Sequence, residues 1–118
     1  MSHLRILIVD DEPHILKPTT VLLQREGHEI EAATDAEWGL ALSRASRFDA
    51  ILMDVGLPGM SGLQALKKLS AASKAAVFLM TGHADNELAK QALQSGARAL
   101  LLKPLNMEDL RARLKGLS

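Results

Sequence analysis

The chain has 118 residues, 47% of them apolar and 24% charged, which suits one globular domain with a single core. Fourteen basic residues balance fourteen acidic ones, so no positive excess exists to draw nucleic acid or an anionic membrane, and the absence of cysteine excludes disulfides, thiolate metal sites and cysteine catalysis. No run approaches the ~20 apolar residues that span a bilayer, and the first residues lack a signal-peptide core, so a cytoplasmic location without membrane or direct nucleic-acid partners is expected.

The same unit recurs five times along the chain. Arg5 to Val9 is an apolar run of strand length that stops at Asp10-Asp11-Glu12-Pro13, where Pro13 suits the first turn of a helix. That helix should carry Ile15, Leu22 and Leu23 inward and end at Gly27, and Pro18 within it predicts a kink or a late start. Glu29 to Ala32 alternates like a strand with one wet face near a sheet edge, and a helix from about Asp35 to Ser46 follows. The third strand, Ala50 to Met53, ends in Asp54, after which Ser61 caps a helix bearing Leu63, Leu66 and Leu69. Ala76 to Met80 and a helix from about Asn86 to Ser95, stopped by Gly96, make the fourth unit. Ala99 to Leu102 is the fifth strand, and Asn106 with Asp109 resembles a capping box opening a last helix lined by Leu110, Leu114 and Leu117.

Strict strand–helix alternation implies a doubly wound α/β fold, a parallel sheet with helices on both faces. Ligands of such sheets bind beyond the carboxyl ends of the strands, where strand order reverses. Asp10 and Asp11 follow the first strand, Asp54 the third, Thr81 the fourth and Lys103 the fifth, so five polar groups converge on that edge. Gathering carboxylates gains nothing for a core unless a cation sits among them, and Mg²⁺, which takes one or two protein carboxylates and keeps positions for phosphate oxygens, fits the chemistry. A carboxylate beside such an ion is a nucleophile towards phosphorus, and the Lys103 ammonium and Thr81 hydroxyl would answer the charge on the transferring group.

Val9-Asp10-Asp11-Glu12-Pro13, the segment Met53 to Gly62, Met80-Thr81-Gly82-His83 and Leu102-Lys103-Pro104 together resemble the signatures of receiver domains of two-component response regulators, over about residues 4 to 117. The resemblance implies the flavodoxin-like (βα)₅ receiver fold with strand order 2-1-3-4-5. It implies phosphorylation of Asp54 by a sensor histidine kinase or phosphotransfer protein. Asp11, Asp54 and the Gly56 carbonyl would ligate Mg²⁺, with Asp10 acting through a water. Thr81 would shift towards the phosphoryl group, Lys103 would pair with it, and the Lys103-Pro104 peptide would be cis. The domain would catalyse only its own phosphorylation and dephosphorylation, and signal through the fourth helix, fifth strand and fifth helix to an output domain or a second copy. Receivers commonly carry an aromatic residue three positions before the lysine; here it is Leu100, in a chain without tyrosine, so the paired Thr81 and Leu100 switch is expected to couple differently.

Several residues carry plainer expectations. Glu12 reads as a solvated helix-start residue, His83 as a loop residue, Trp38 as a partly buried packing residue, and Leu102 and Leu105 as core or interface filler. Gly56 leaves no steric block to water near Asp54. Three other functions compete with the receiver reading. A phosphorylation-independent interaction module draws only on Leu100. A flavodoxin-like cofactor binder needs a Gly-rich loop after the first strand, where this chain is acidic. An aspartyl phosphatase needs a second acid–base carboxylate close behind Asp54, where Val55 and Gly56 stand.

Overall fold

The computed structural model describes residues 3–70, 73–83 and 85–117. Five parallel strands alternate with five helices: β1 (Arg5–Val9), α1 (Pro13–Arg25), β2 (Glu29–Ala33), α2 (Ala36–Ala45), β3 (Ala50–Asp54), α3 (Gly62–Ser70), β4 (Ala76–Thr81), α4 (Asn86–Gln94), β5 (Ala99–Leu102) and α5 (Met107–Lys115). The sheet order is β2-β1-β3-β4-β5, so the order reverses between β1 and β3, and β2 is an edge strand as its alternation suggests.

Side chains alternate across the sheet with a period of two, and this divides the core. Leu7, Val9, Ile51, Met53, Val77 and Leu79 pack on one face with Ala36 and Leu40 of α2, Leu66 and Leu69 of α3 and Ala92 of α4. Ile6, Ile8, Ala50, Leu52, Phe78, Met80, Ala99 and Leu101 pack on the other with Leu23 of α1 and with Leu110 and Leu114 of α5. Both faces are covered, which is why β1, β3 and β4 read as unbroken apolar runs.

Local chemistry sets the helix ends. Asp35 accepts from the Trp38 N–H at 2.7 Å, Asp85 from Leu88 at 2.7 Å and Asn106 from Asp109 at 3.0 Å. Ser61 and Gln64 exchange reciprocal bonds at 3.1 Å, a full capping box that opens α3. At α5 the box is only half made, because the Asp109 carboxylate turns to Arg113 Nε at 3.0 Å. Helices α1 and α4 end in the same motif: Gly27 (φ 95°) and Gly96 (φ 106°) take the left-handed conformation, and His28 and Ala97 donate back to Leu23 and Ala92.

Two expectations are corrected. Pro18 lies inside an uninterrupted α1, so the helix does not start late, and Thr19 joins Leu23 as the buried pair while Ile15 and Leu22 are half-buried. Trp38 is 50% exposed, because Ala36, Gly39 and Leu40 already fill the inward stripe of α2 and position 38 falls beside it. Of the leucines expected to fill the core or an interface, Leu105 is half-buried and Leu102 is 56% exposed, while Leu110 and Leu114 of α5 are core and Leu117 beyond it is half-buried.

Candidate functional site

The period of two that divides the core also sorts the polar residues. Asp10 continues the parity of Ile6 and Ile8, Asp54 that of Ala50 and Leu52, and Lys103 that of Ala99 and Leu101, so all three point to the α1/α5 face at the carboxyl edge of the sheet. Thr81 and Leu100 follow the opposite parity. Register ties the elements together: Val9 pairs with Met53, Asp54 with Met80 and Thr81 with Leu102, and Lys103 N–H extends the last ladder to the Thr81 carbonyl at 2.8 Å.

At the centre stands the Lys103 ammonium, its side chain buried, with Nζ 2.9 Å from Asp10 Oδ2, 3.0 Å from Asp54 Oδ1 and 3.1 Å from Glu12 Oε1. Burial disfavours the ammonium, yet the pull of Asp10, Asp54 and Glu12 outweighs it and raises its pKa. Asp54 is pushed above the ordinary carboxylate value, chiefly by burial and further by the neighbouring Asp10 charge, while Lys103 and the Gly56 N–H pull it back. The peptide between Lys103 and Pro104 is cis.

Asp10 is wholly buried. Its Oδ1 accepts the Glu12 N–H at 2.9 Å in an Asx turn, while Oδ2 faces the ammonium off the angle of a hydrogen bond and has no hydrogen-bonding partner. This turn decides which acidic neighbour enters the site. It folds Glu12 back over Lys103 and leaves Asp11 at the apex, exposed, facing a surface groove with Thr34, Asp35, Glu37, Pro58 and Gly59. Ligand oxygens of Asp10, Glu12 and Asp54 lie within 4.8 Å of one another, and Asp11 is not among them. Glu12, expected in solvent, is thus half-buried on the ammonium, and Asp11, expected at the metal, stands outside the cluster. The signal available in the sequence was the Asp-x-Glu spacing, since an Asx turn brings the second residue onward back to the first.

The remaining residues occupy the rim. The Thr81 hydroxyl is buried and committed to its own loop, donating to the His83 carbonyl at 3.1 Å and accepting the His83 N–H at 3.2 Å. Leu100 is half-buried against the α2/α3/α4 face of the core and borders a hollow of about 280 Å³ with Leu102, Pro104, Leu105 and Asn106. Gly56 is exposed, and a Cβ there would meet open space. Gly62 is the opposite case: a Cβ would press into the Asp54 carbonyl and the Val55 Cα, while its N–H bonds the Val55 carbonyl at 2.9 Å. The start of α3 therefore lies hard against the backbone of Asp54, a constraint on the site that no side-chain pattern signals.

The donor set suits a hard cation. The cluster offers carboxylate oxygens only, one of them, Asp10 Oδ2, buried without a hydrogen bond, and Mg²⁺ favours such ligands. The ammonium of Lys103 supplies the positive charge that the carboxylates share here.

Comparisons with known proteins bear on the family and the fold. A match to the response regulator receiver domain covers residues 6–115. The chain is 37% identical over 109 residues to Protein PilH of Pseudomonas aeruginosa, covering 90% of each. It is 33% identical over 111 residues to the DNA-binding response regulator MtrA of Mycolicibacterium smegmatis, covering 94% of this chain and 49% of that protein. It spans about half or less of the length of several other curated relatives. The solved response regulator receiver domain protein (CheY-like) from Methanospirillum hungatei superposes with a TM-score of 0.90 at 38% identity, over 98% of this chain and 93% of that one. With the parallel 2-1-3-4-5 sheet and the match along nearly its whole length, the chain belongs to the receiver domain family of two-component response regulators.

Proposed function

We propose that Asp54 is the phosphoacceptor of a cytoplasmic two-component signalling pair and takes its phosphoryl group from the phosphohistidine of a sensor kinase or phosphotransfer protein. The observation that carries this reading is the Asp54 carboxylate at the sheet's topological switch point, 3.0 Å from the buried Lys103 ammonium and beside the buried Asp10. An Asp54 carboxylate oxygen attacks phosphorus, the P–N bond breaks, and its electron pair leaves with the imidazole. Asp10, Asp54 and the Gly56 carbonyl would hold Mg²⁺, with Asp11 brought in from the apex of its turn; when bound, the ion supplies positive charge to the phosphoryl oxygens. Lys103 supplies a second positive charge to the same oxygens, and raising the Asp54 pKa by burial makes its carboxylate a stronger base.

Signalling needs a second arrangement of the molecule that the acyl phosphate favours. Thr81 would exchange its bonds with His83 for a phosphoryl oxygen, and the loop before α4 would follow. On that side Leu93 of α4 is 57% exposed and Leu102 of β5 is 56% exposed, apolar surface suited to a partner, an output domain or a second copy. Phosphorylation-independent binding is the second reading, favoured by Leu100, which lacks the hydroxyl and flat ring of the usual aromatic residue.

Intact-mass spectrometry after incubation with acetyl phosphate and Mg²⁺ tests the proposal. One labile phosphoryl adduct that needs Mg²⁺ and is absent from Asp54→Ala is the expected result. No adduct, together with no binding of fluoroberyllate, would overturn it in favour of the second reading.

A further inference from the structure

Three carboxylate oxygens crowd the Lys103 ammonium at 2.9, 3.0 and 3.1 Å, and its hydrogen bond goes to Glu12. A phosphoryl group on Asp54 brings new acceptor oxygens to the same Nζ, so one existing contact has to be given up. The three are not equally easy to release. Asp10 is wholly buried and fixed by its Asx turn, so its carboxylate cannot swing away from the ammonium into water. Asp54 is itself the residue that is modified. Glu12 is 43% exposed, hydrogen-bonds Nζ at 3.1 Å through Oε1, and has Oε2 at 3.4 Å from the exposed His14. Its carboxylate can turn into water at small cost.

We infer that Glu12 is a positioning residue: it holds Lys103 in the unphosphorylated protein and yields it to the phosphoryl group, so that it opposes the activated state through Lys103. The inference rests on the phosphoacceptor reading of Asp54. Glu12 touches neither phosphorus nor the leaving group, and acts only through the ammonium it positions. Its place is set by the turn after β1, so the acidic residue two positions beyond Asp10 tunes the site without belonging to its reacting atoms.

Fluoroberyllate with Mg²⁺, a stand-in for the phosphoryl group, provides the test by calorimetric titration of the natural chain, Glu12→Gln, Lys103→Met and the double variant. Glu12→Gln is expected to tighten binding by about threefold, the scale of one half-exposed ion pair, and this gain should vanish on the Lys103→Met background. An equal gain on both backgrounds would mean that Glu12 acts by its field alone and would overturn the inference. No gain in either would do the same. Failure of the natural chain to bind at all would instead overturn the phosphoacceptor reading, and this inference with it. The Lys103 ammonium resonance of ¹⁵N-lysine-labelled protein without beryllium gives a second readout, decisive on its own if Lys103→Met binds too weakly to titrate. It should move in Glu12→Gln, and an unmoved resonance would exclude the positioning role.

Discussion

At the carboxyl edge of the sheet Asp10, Glu12 and Asp54 share one buried ammonium; at the amino edge Arg44, Arg47, Lys74 and Arg98, all exposed, surround a cleft of about 660 Å³ together with Asp49. The cleft is the less constrained of the two places. Arg44 sits in the last turn of α2, where a cation meets the partial negative charge of the helix end, and water screens it. Asp49 there accepts the Arg5 N–H at 2.8 Å and so aligns β1 with β3. Buried charge costs free energy that exposed charge does not, so the edge that keeps it is the edge where chemistry is expected, whatever the cavity volume.

The largest effect that would sharpen this contrast is removal of the shared cation. Lys103→Met leaves two buried carboxylates without a counter-charge and should lower stability at pH 7 by about 3 kcal/mol in denaturant titrations, with part of the loss restored by Mg²⁺. The raised Lys103 pKa gives a stabilisation fully present below the ordinary lysine value of 10.5 and lost as pH rises beyond it, so this difference should hold throughout the neutral range. A variant as stable as the natural chain would erase the distinction between the two edges.

Next in size is the backbone constraint behind Asp54. Gly62→Ala puts a methyl group into the Asp54 carbonyl and should cost about 2 kcal/mol and slow formation of the acyl phosphate, whereas Gly56→Ala, with open space around its Cβ, should leave stability within about 0.5 kcal/mol. Thermal melts of the two variants compare them directly.

Asp54→Asn should raise the melting temperature at pH 7. The folded pKa of Asp54 lies above its ordinary value of 3.8, so the folded state binds its proton more readily than the unfolded chain does. Stability therefore falls as pH rises through that window and stays lower above it. The advantage of Asp54→Asn should shrink as pH drops towards about 4, followed by melting temperature against pH. A constant advantage would mean that Asp54 carries no burial penalty.

The smallest expected effect lies at the other edge. Arg98→Ala should change stability by less than about 0.5 kcal/mol and leave phosphorylation from acetyl phosphate unchanged. A change in phosphorylation rate would show that the two ends are coupled and would break the comparison.

Much of this molecule is legible in its sequence. Strand–helix alternation gave the layers, the residues Asp35, Ser61 and Asn106 marked helix starts, and Gly27 and Gly96 marked ends, because each depends on bonds within a few residues. The exposure of Trp38 was harder to read, since a ten-residue helix buries only a narrow stripe and neighbouring elements decide where its edge falls.

The sequence by itself determined that Asp10, Asp54 and Lys103 reach the carboxyl edge, because each ends or directly follows a strand, whereas register put them on one face. It also determined that an acidic cluster ends β1. Tertiary structure decided which acid enters the site. Asp11 and Glu12 are adjacent and carry the same charge, and only the Asx turn on the buried Asp10, with an ammonium arriving from a strand 91 positions further along the chain, turns Glu12 inward and Asp11 out. The closeness of Gly62 to Asp54 is likewise set by α3 packing back on its own strand. Local bonds are written in neighbouring residues, whereas the sharing of one buried charge among carboxylates exists only after the strands that carry them have met.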